Sequence, residues 1–149
     1  MAEQSPSGIQ PVETLLESTL ESVDAAEAAA LALAEKLGFE EDDLHKIGMA
    51  VREAMVNAVV HGNRYSARKK VHFSVLPAAG QLIIEIGDEG EGFDRAKLPD
   101  PLAEENLLRH SGRGLLLIEA FMDECSVRPR TPNGTAVRMV KRIAFAGGS

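Results

Sequence analysis

Apolar residues recur along this chain with two different periods, and the changes of period divide it into elements. The stretch DAAEAAALALAEKLG, residues 24–38, is built from strong helix formers, and Gly38 suits its stop. Ahead of it, VETLLESTL (12–20) fits neither period cleanly and reads as a first strand, with the helix's own first turns as the other reading. In EEDDLHKIGMAVREAMVNAVVHGN (40–63), Leu44, Ile47, Gly48, Val51, Ala54, Met55 and Ala58 recur at helical spacing and form one core-facing stripe. Acids open that segment, where they suit the positive end of a helix dipole, and Gly62 and Asn63 suit a C-cap. KKVHFSVL and QLIIEIGD are strand-like runs joined by the turn-prone Pro77-Ala78-Ala79-Gly80, so a hairpin is expected. A long connection broken by Gly and Pro follows, and then LLLIEAFM returns to helical spacing. CSVRPR and GTAVRMVKRI, joined across Thr131-Pro132-Asn133-Gly134, complete the strands. The sum is an α/β (α+β) two-layer sandwich, with helices on one face of a mixed, mostly antiparallel sheet.

Length and composition narrow this picture. A chain of 149 residues with 44% hydrophobic residues supports one core, expected over 12–143, between polar tails at 1–11 and 144–149. No apolar run approaches the roughly 20 residues that span a bilayer. The N-terminus has neither the basic nor the apolar region of a secretory signal, so the expected location is the cytoplasm. The single cysteine, Cys125, agrees with a reducing compartment and reads as ordinary packing. A net charge of −7 opposes general attraction to nucleic acid or to an anionic membrane. It leaves open an anionic ligand held locally by backbone N–H groups, a helix N-terminus and a divalent cation.

Four motifs carry candidate chemistry. At about 100° per residue, Glu53, Asn57 and His61 stack one turn apart on the side opposite the apolar stripe, among Met49, Ala50, Val56 and Val60. A solvated surface would carry lysines and glutamates there; this face reads as the floor of a partly apolar pocket, or as a buried polar network. Asp88-Glu89-Gly90-Glu91-Gly92 follows the strand LIIEIG, so a carboxylate emerges at a strand end on a glycine-hinged loop. It is able to accept a hydrogen bond from an exocyclic amine, although a D-x-G-x-G also describes a simple turn. Ser111-Gly112-Arg113-Gly114 precedes a helix, where converging N–H groups and an arginine suit a phosphate. Asn133-Gly134-Thr135 alone is a hairpin turn.

Their order changes their weight. Glu-x-x-x-Asn, Asp-x-Gly-x-Gly, Gly-x-Gly and Gly-Thr, in that sequence, resemble the Bergerat-type ATPase superfamily of gyrase, heat-shock chaperones, histidine kinases and mismatch-repair proteins. REAMVNAVVHGN, DEGEGFD, LPDP, SGRGLLLIEAFMDE and NGTAVRMVKR look more narrowly like the anti-sigma-factor serine/threonine kinases, over roughly residues 20–142. The resemblance implies ATP and Mg²⁺ as cofactors. It assigns Asn57 to the metal, Glu53 to the general base and Asp88 to the adenine amine. Gly90 and Gly92 fall in the adenine loop, Thr135 supports the same network, and Gly112, Arg113 and Gly114 contact phosphates from a lid at about 93–111. The implied partners are a sigma factor and a small anti-anti-sigma antagonist, with a homodimer as the assembly and no direct role for nucleic acid or membrane. The implied activity is phosphorylation of the antagonist on serine or threonine. A non-catalytic ATP-binding partner-switching module and a stand-alone ATPase are the alternatives. His61 reads as structural, and His45, His72 and His110 lie in nothing like a phosphoacceptor helix.

Overall fold

The stretch that fitted neither period is split between two elements by a capping residue. In the computed structural model, which describes residues 9–90 and 114–143, strand β1 covers Val12–Leu16 and helix α1 covers Leu20–Leu37. Thr19 between them is extended, and its hydroxyl accepts the N–H of Ser22 at 3.3 Å. This cap starts the helix four residues earlier than its alanine-rich composition indicates. Gly38 ends it at φ 97°, its N–H shared between Ala34 O and Glu35 O.

Helix α2, Glu41–Val56, runs on into a π-helical turn, Asn57–Gly62. After it come strands β2, Val71–Ala78, and β3, Gln81–Gly87, then helix α3 over 114–121, and strands β4, Glu124–Pro129, and β5, Thr135–Arg142. The order in the sheet is β1-β2-β3-β5-β4, and every pairing among the described residues is antiparallel. Pro77 and Ala78, read from sequence as turn residues, extend β2 and pair with Leu82 and Gln81. The turn itself tightens to Ala79-Gly80.

Alternation along the strands separates two faces. Phe73, Val75, Ile84, Ile86, Val137 and Met139 point inward and meet Val23, Leu33, Ile47, Val51, Met55 and Ile118 of the helices. Side chains of this size, fully buried, contribute about 1.5–3 kcal/mol each. Ala50, placed by the helical projection on the pocket side, is fully buried and belongs to the core. The outer sheet face is polar along one row, where Glu85 pairs with Arg128 and Arg138. Between the helices, Arg52 of α2 reaches Asp24 at 2.9 Å and Glu27 at 2.6 Å on α1. No helix among the described residues is long and apolar enough to cross a membrane. Of the expected tails at 1–11 and 144–149, residues 1–8 and 144–149 lie outside the described residues.

Candidate nucleotide site

The last turns of the long second helix build one wall. Glu53 and Asn57 are half-buried on its exposed side, whereas His61 is exposed. At Asn57 the bonding pattern widens: Asn63 N donates to Ala58 O, five residues back, at 2.8 Å. Such π turns concentrate at functional sites. Here the widened turn brings Gly62 against the end of β3, so close that a Cβ at position 62 would overlap the Asp88 carboxylate. No residue other than glycine fits that approach.

Asp88 leaves β3 into a cage of main-chain groups. Its N–H donates to Thr135 O at 2.9 Å, and its Oδ1 accepts N–H bonds from Gly90 at 3.0 Å and Thr135 at 3.1 Å. Arg130 donates from Nη1 to Asp88 O at 2.8 Å. Only 7% of the residue is exposed. Both protein donors fall on Oδ1, which leaves Oδ2 without a donor among the described residues, suited to an amine brought by a ligand. Burial pushes the Asp88 carboxyl above its ordinary range, and the N–H groups of Gly90 and Thr135, with the charges of Arg130 and Lys69, oppose the rise. Thr135 serves this network through its main chain. Gly90 packs on the Gly62 carbonyl, where a side chain would clash.

The phosphate motif meets the same wall from the other direction. A Cβ placed on Gly114 would stand 2.9 Å from Glu53 Oε2 and 3.1 Å from Asn57 Nδ2. Gly114 thus meets residues 61 and 57 positions before it in sequence, and the glycine keeps the space above the carboxylate and the amide clear. Gly92, Gly112, Arg113 and the expected lid lie outside the described residues.

Sequence reading passed over three residues beside this site. Asn63, read as a simple helix cap, is buried and spends its whole amide: Oδ1 accepts from Glu89 N at 2.7 Å, and Nδ2 donates to Ser18 Oγ at 2.9 Å and Lys70 O at 3.0 Å. Glu89 Oε2 lies 2.7 Å from His72 Nε2, and its Oε1 accepts from Lys70 N at 3.2 Å. The bond to His72 holds the Glu89 carboxyl below the usual carboxylate range. Arg130 was read only as a strand end. None of these contacts has a periodic signature, because nearly all of them join residues distant in sequence and the bond from Asn63 to Lys70 closes an irregular loop.

The fold and this constellation together define a nucleotide-binding domain of the histidine kinase type. The family model described as the histidine kinase-like ATPase domain matches residues 16–141. The anti-sigma F factor of Bacillus subtilis (strain 168) is 33% identical over 105 residues, 69% of this chain and 72% of that protein. The anti-sigma F factor of Geobacillus thermodenitrificans (strain NG80-2) is 36% identical over 106 residues, again 69% and 72%. In shape, the chain is similar to the crystal structure of the RsbU and RsbW domains of Rv1364c from Mycobacterium tuberculosis. The TM-score is 0.63 at 20% identity, covering 91% of this chain and 32% of that one. This chain belongs to the histidine kinase-like ATPase family, in the branch that holds the anti-sigma F factors. Membership of an ATPase family makes ATP the ligand of the domain.

Proposed function

We propose that this protein is an ATP-dependent anti-sigma factor, a cytoplasmic homodimer that binds a sigma factor and phosphorylates a serine or threonine of a small antagonist protein. The observation that carries the reading is the approach of Gly114 to Glu53 and Asn57, since it joins the phosphate motif to the two side chains that phosphoryl transfer needs. Its relatives' names as anti-sigma F factors support the partner class.

In this reading the adenine amine donates to Asp88 Oδ2, with Gly90 and Gly92 shaping the loop beneath the ring and Thr135 holding the carboxylate in place. Gly112, Arg113 and Gly114 receive the phosphates. The donor set beneath Gly114 fits Mg²⁺, a hard cation that takes oxygen ligands and keeps much of its water. Asn57 would hold it through its amide oxygen, and the bound ion would neutralise phosphate charge. Glu53 takes the proton of the acceptor hydroxyl as that oxygen bonds to the γ-phosphorus, and ADP leaves with the bridging oxygen.

Transfer of labelled γ-phosphate from ATP into proteins of the host lysate tests this, comparing the wild type with Glu53→Gln. Glu53→Gln keeps the shape of the side chain but not its basicity, so ATP binding is expected to persist while labelling of a small protein disappears. Intact ATP binding with no labelling by the wild type would instead favour the partner-switching module. Release of free phosphate alone would favour the stand-alone ATPase.

A further inference from the structure

The charge of this chain is unevenly distributed around the end of the second helix. No aspartate or glutamate occurs between Glu53 and Glu85, whereas four of the sixteen lysines and arginines fall within 64–70. Two of the four are accounted for by the framework. Lys70 Nζ lies 2.5 Å from Glu17 Oε2, and Lys69 is half-buried where its charge acts on Asp88. Arg64 and Arg68 are exposed and form no ion pair among the described residues. Tyr65, between them, is 53% exposed.

The segment that presents these side chains is tied down at every turn. Ser66 N donates to Asn63 O at 2.9 Å, Lys69 N to Ser66 O at 3.2 Å, and Arg68 N to Ser66 Oγ at 3.2 Å. Tyr65 N reaches back to Val59 O at 2.9 Å, and Lys69 O accepts the Ser18 hydroxyl at 2.5 Å. Arg64 and Tyr65 have φ of 51° and 61°, in the left-handed region that bulky residues seldom adopt. Surroundings that over-determine a backbone sustain such conformations, and they cluster where a surface has a task. Two guanidinium groups without an ion pair among the described residues, and an exposed aromatic ring, are thereby presented on a fixed backbone.

We propose that residues 64–69 form a docking surface for an acidic segment of a protein partner. Guanidinium forks match carboxylates in a paired geometry that a lysine ammonium does not offer. Tyr65 adds an aromatic contact with little entropy left to lose, and a backbone already ordered reduces the cost of association. A short acidic segment fits better than nucleic acid, because a polyanion longer than the patch meets a chain whose net charge is −7. The proposal requires neither phosphotransfer nor sigma-factor binding, and so stands apart from the function proposed above.

The test is a titration of the ¹⁵N-labelled chain with a short polyglutamate peptide, followed through its backbone amide resonances. Shifts confined to 64–69 and their immediate neighbours are expected, weakening with added salt. The double variant Arg64→Glu with Arg68→Glu should bind the peptide at least about tenfold more weakly, with ATP affinity unchanged. Arg64→Gln with Arg68→Gln, a milder change, should lose part of the affinity, and Lys36→Glu on the far end of α1 should lose none. Absence of shifts at 64–69, or shifts that survive the charge reversal, would overturn the proposal. So would tighter binding of a short oligothymidylate at the same amides, which would make the patch a nucleic-acid contact.

Discussion

Asp88 is the residue at which recognition and stability pull in opposite directions. Its Oδ1 already holds the N–H groups of Gly90 and Thr135, so an asparagine would settle with its carbonyl oxygen in that place. The amide NH₂ would then stand where Oδ2 was, donor facing donor. Asp88→Asn should therefore weaken ATP binding by about 1–3 kcal/mol, read by calorimetry. It should not lower the melting temperature at neutral pH. A carboxyl raised by burial supports the fold below its ordinary pKa, and that support is lost as pH rises through the raised value. At neutral pH the charged form is the penalised one, and the amide removes the penalty. Glu89 has the opposite sign. Held low by His72, it stabilises the fold above the ordinary glutamate value of about 4.3, and that stabilisation is lost as pH falls through the lowered one. The stability difference between wild type and Glu89→Gln, measured by urea unfolding, should be present at neutral pH and vanish in acid. Cys125 fits its reading as a packing residue: half-buried, its thiol is pushed up to about 11 by burial.

At the scale of elements, the second helix was legible in sequence as to its face and not as to its end. The period of apolar positions from Leu44 to Ala58 located the stripe that meets the sheet, and so placed Glu53 and Asn57 on the other side. The switch to bonds five residues back leaves no mark in that period, because it is driven by what the turn must meet: the Asp88 carboxylate against Gly62. Ala50 was misplaced for a related reason, since a helix packed against both α1 and the sheet buries more than one stripe. The third helix contributes through the glycine at its described start. Gly114→Ala would press a methyl group to 2.9 Å from Glu53 Oε2 and 3.1 Å from Asn57 Nδ2. It should cut Mg²⁺-dependent ATP affinity by about tenfold or more, that is about 1.4 kcal/mol. Calorimetry with and without Mg²⁺ checks it, and unchanged affinity would separate this glycine from the site.

For the whole molecule, the sheet order decides which distant residues become neighbours. Insertion of β5 between β3 and β4 sets Ala136 opposite Gly87 and thereby brings Thr135 to Asp88. The same strand sends Lys141, 7% exposed, into the layer between sheet and helices. Its Nζ donates to Phe121 O at 2.7 Å at the end of α3 and lies 3.7 Å from Asp43 Oδ1 at the start of α2. Lys141→Ala should cost about 1–3 kcal/mol of stability through the unpaired carbonyl and carboxylate left behind, measured by urea unfolding. Sequence alone determined the succession of helices and strands, though not where α1 begins or how α2 ends, the inward faces of the strands and the order of the four motifs. These follow from side-chain periodicity, local backbone preference and residue type, all of which act within a few positions. Tertiary structure alone decided the sheet order, the main-chain bonds that converge on Asp88 Oδ1, the buried amide of Asn63 and the meeting of Gly114 with Glu53 and Asn57. Those depend on which segments pack together, and burial and hydrogen bonding between remote residues leave no period in the chain.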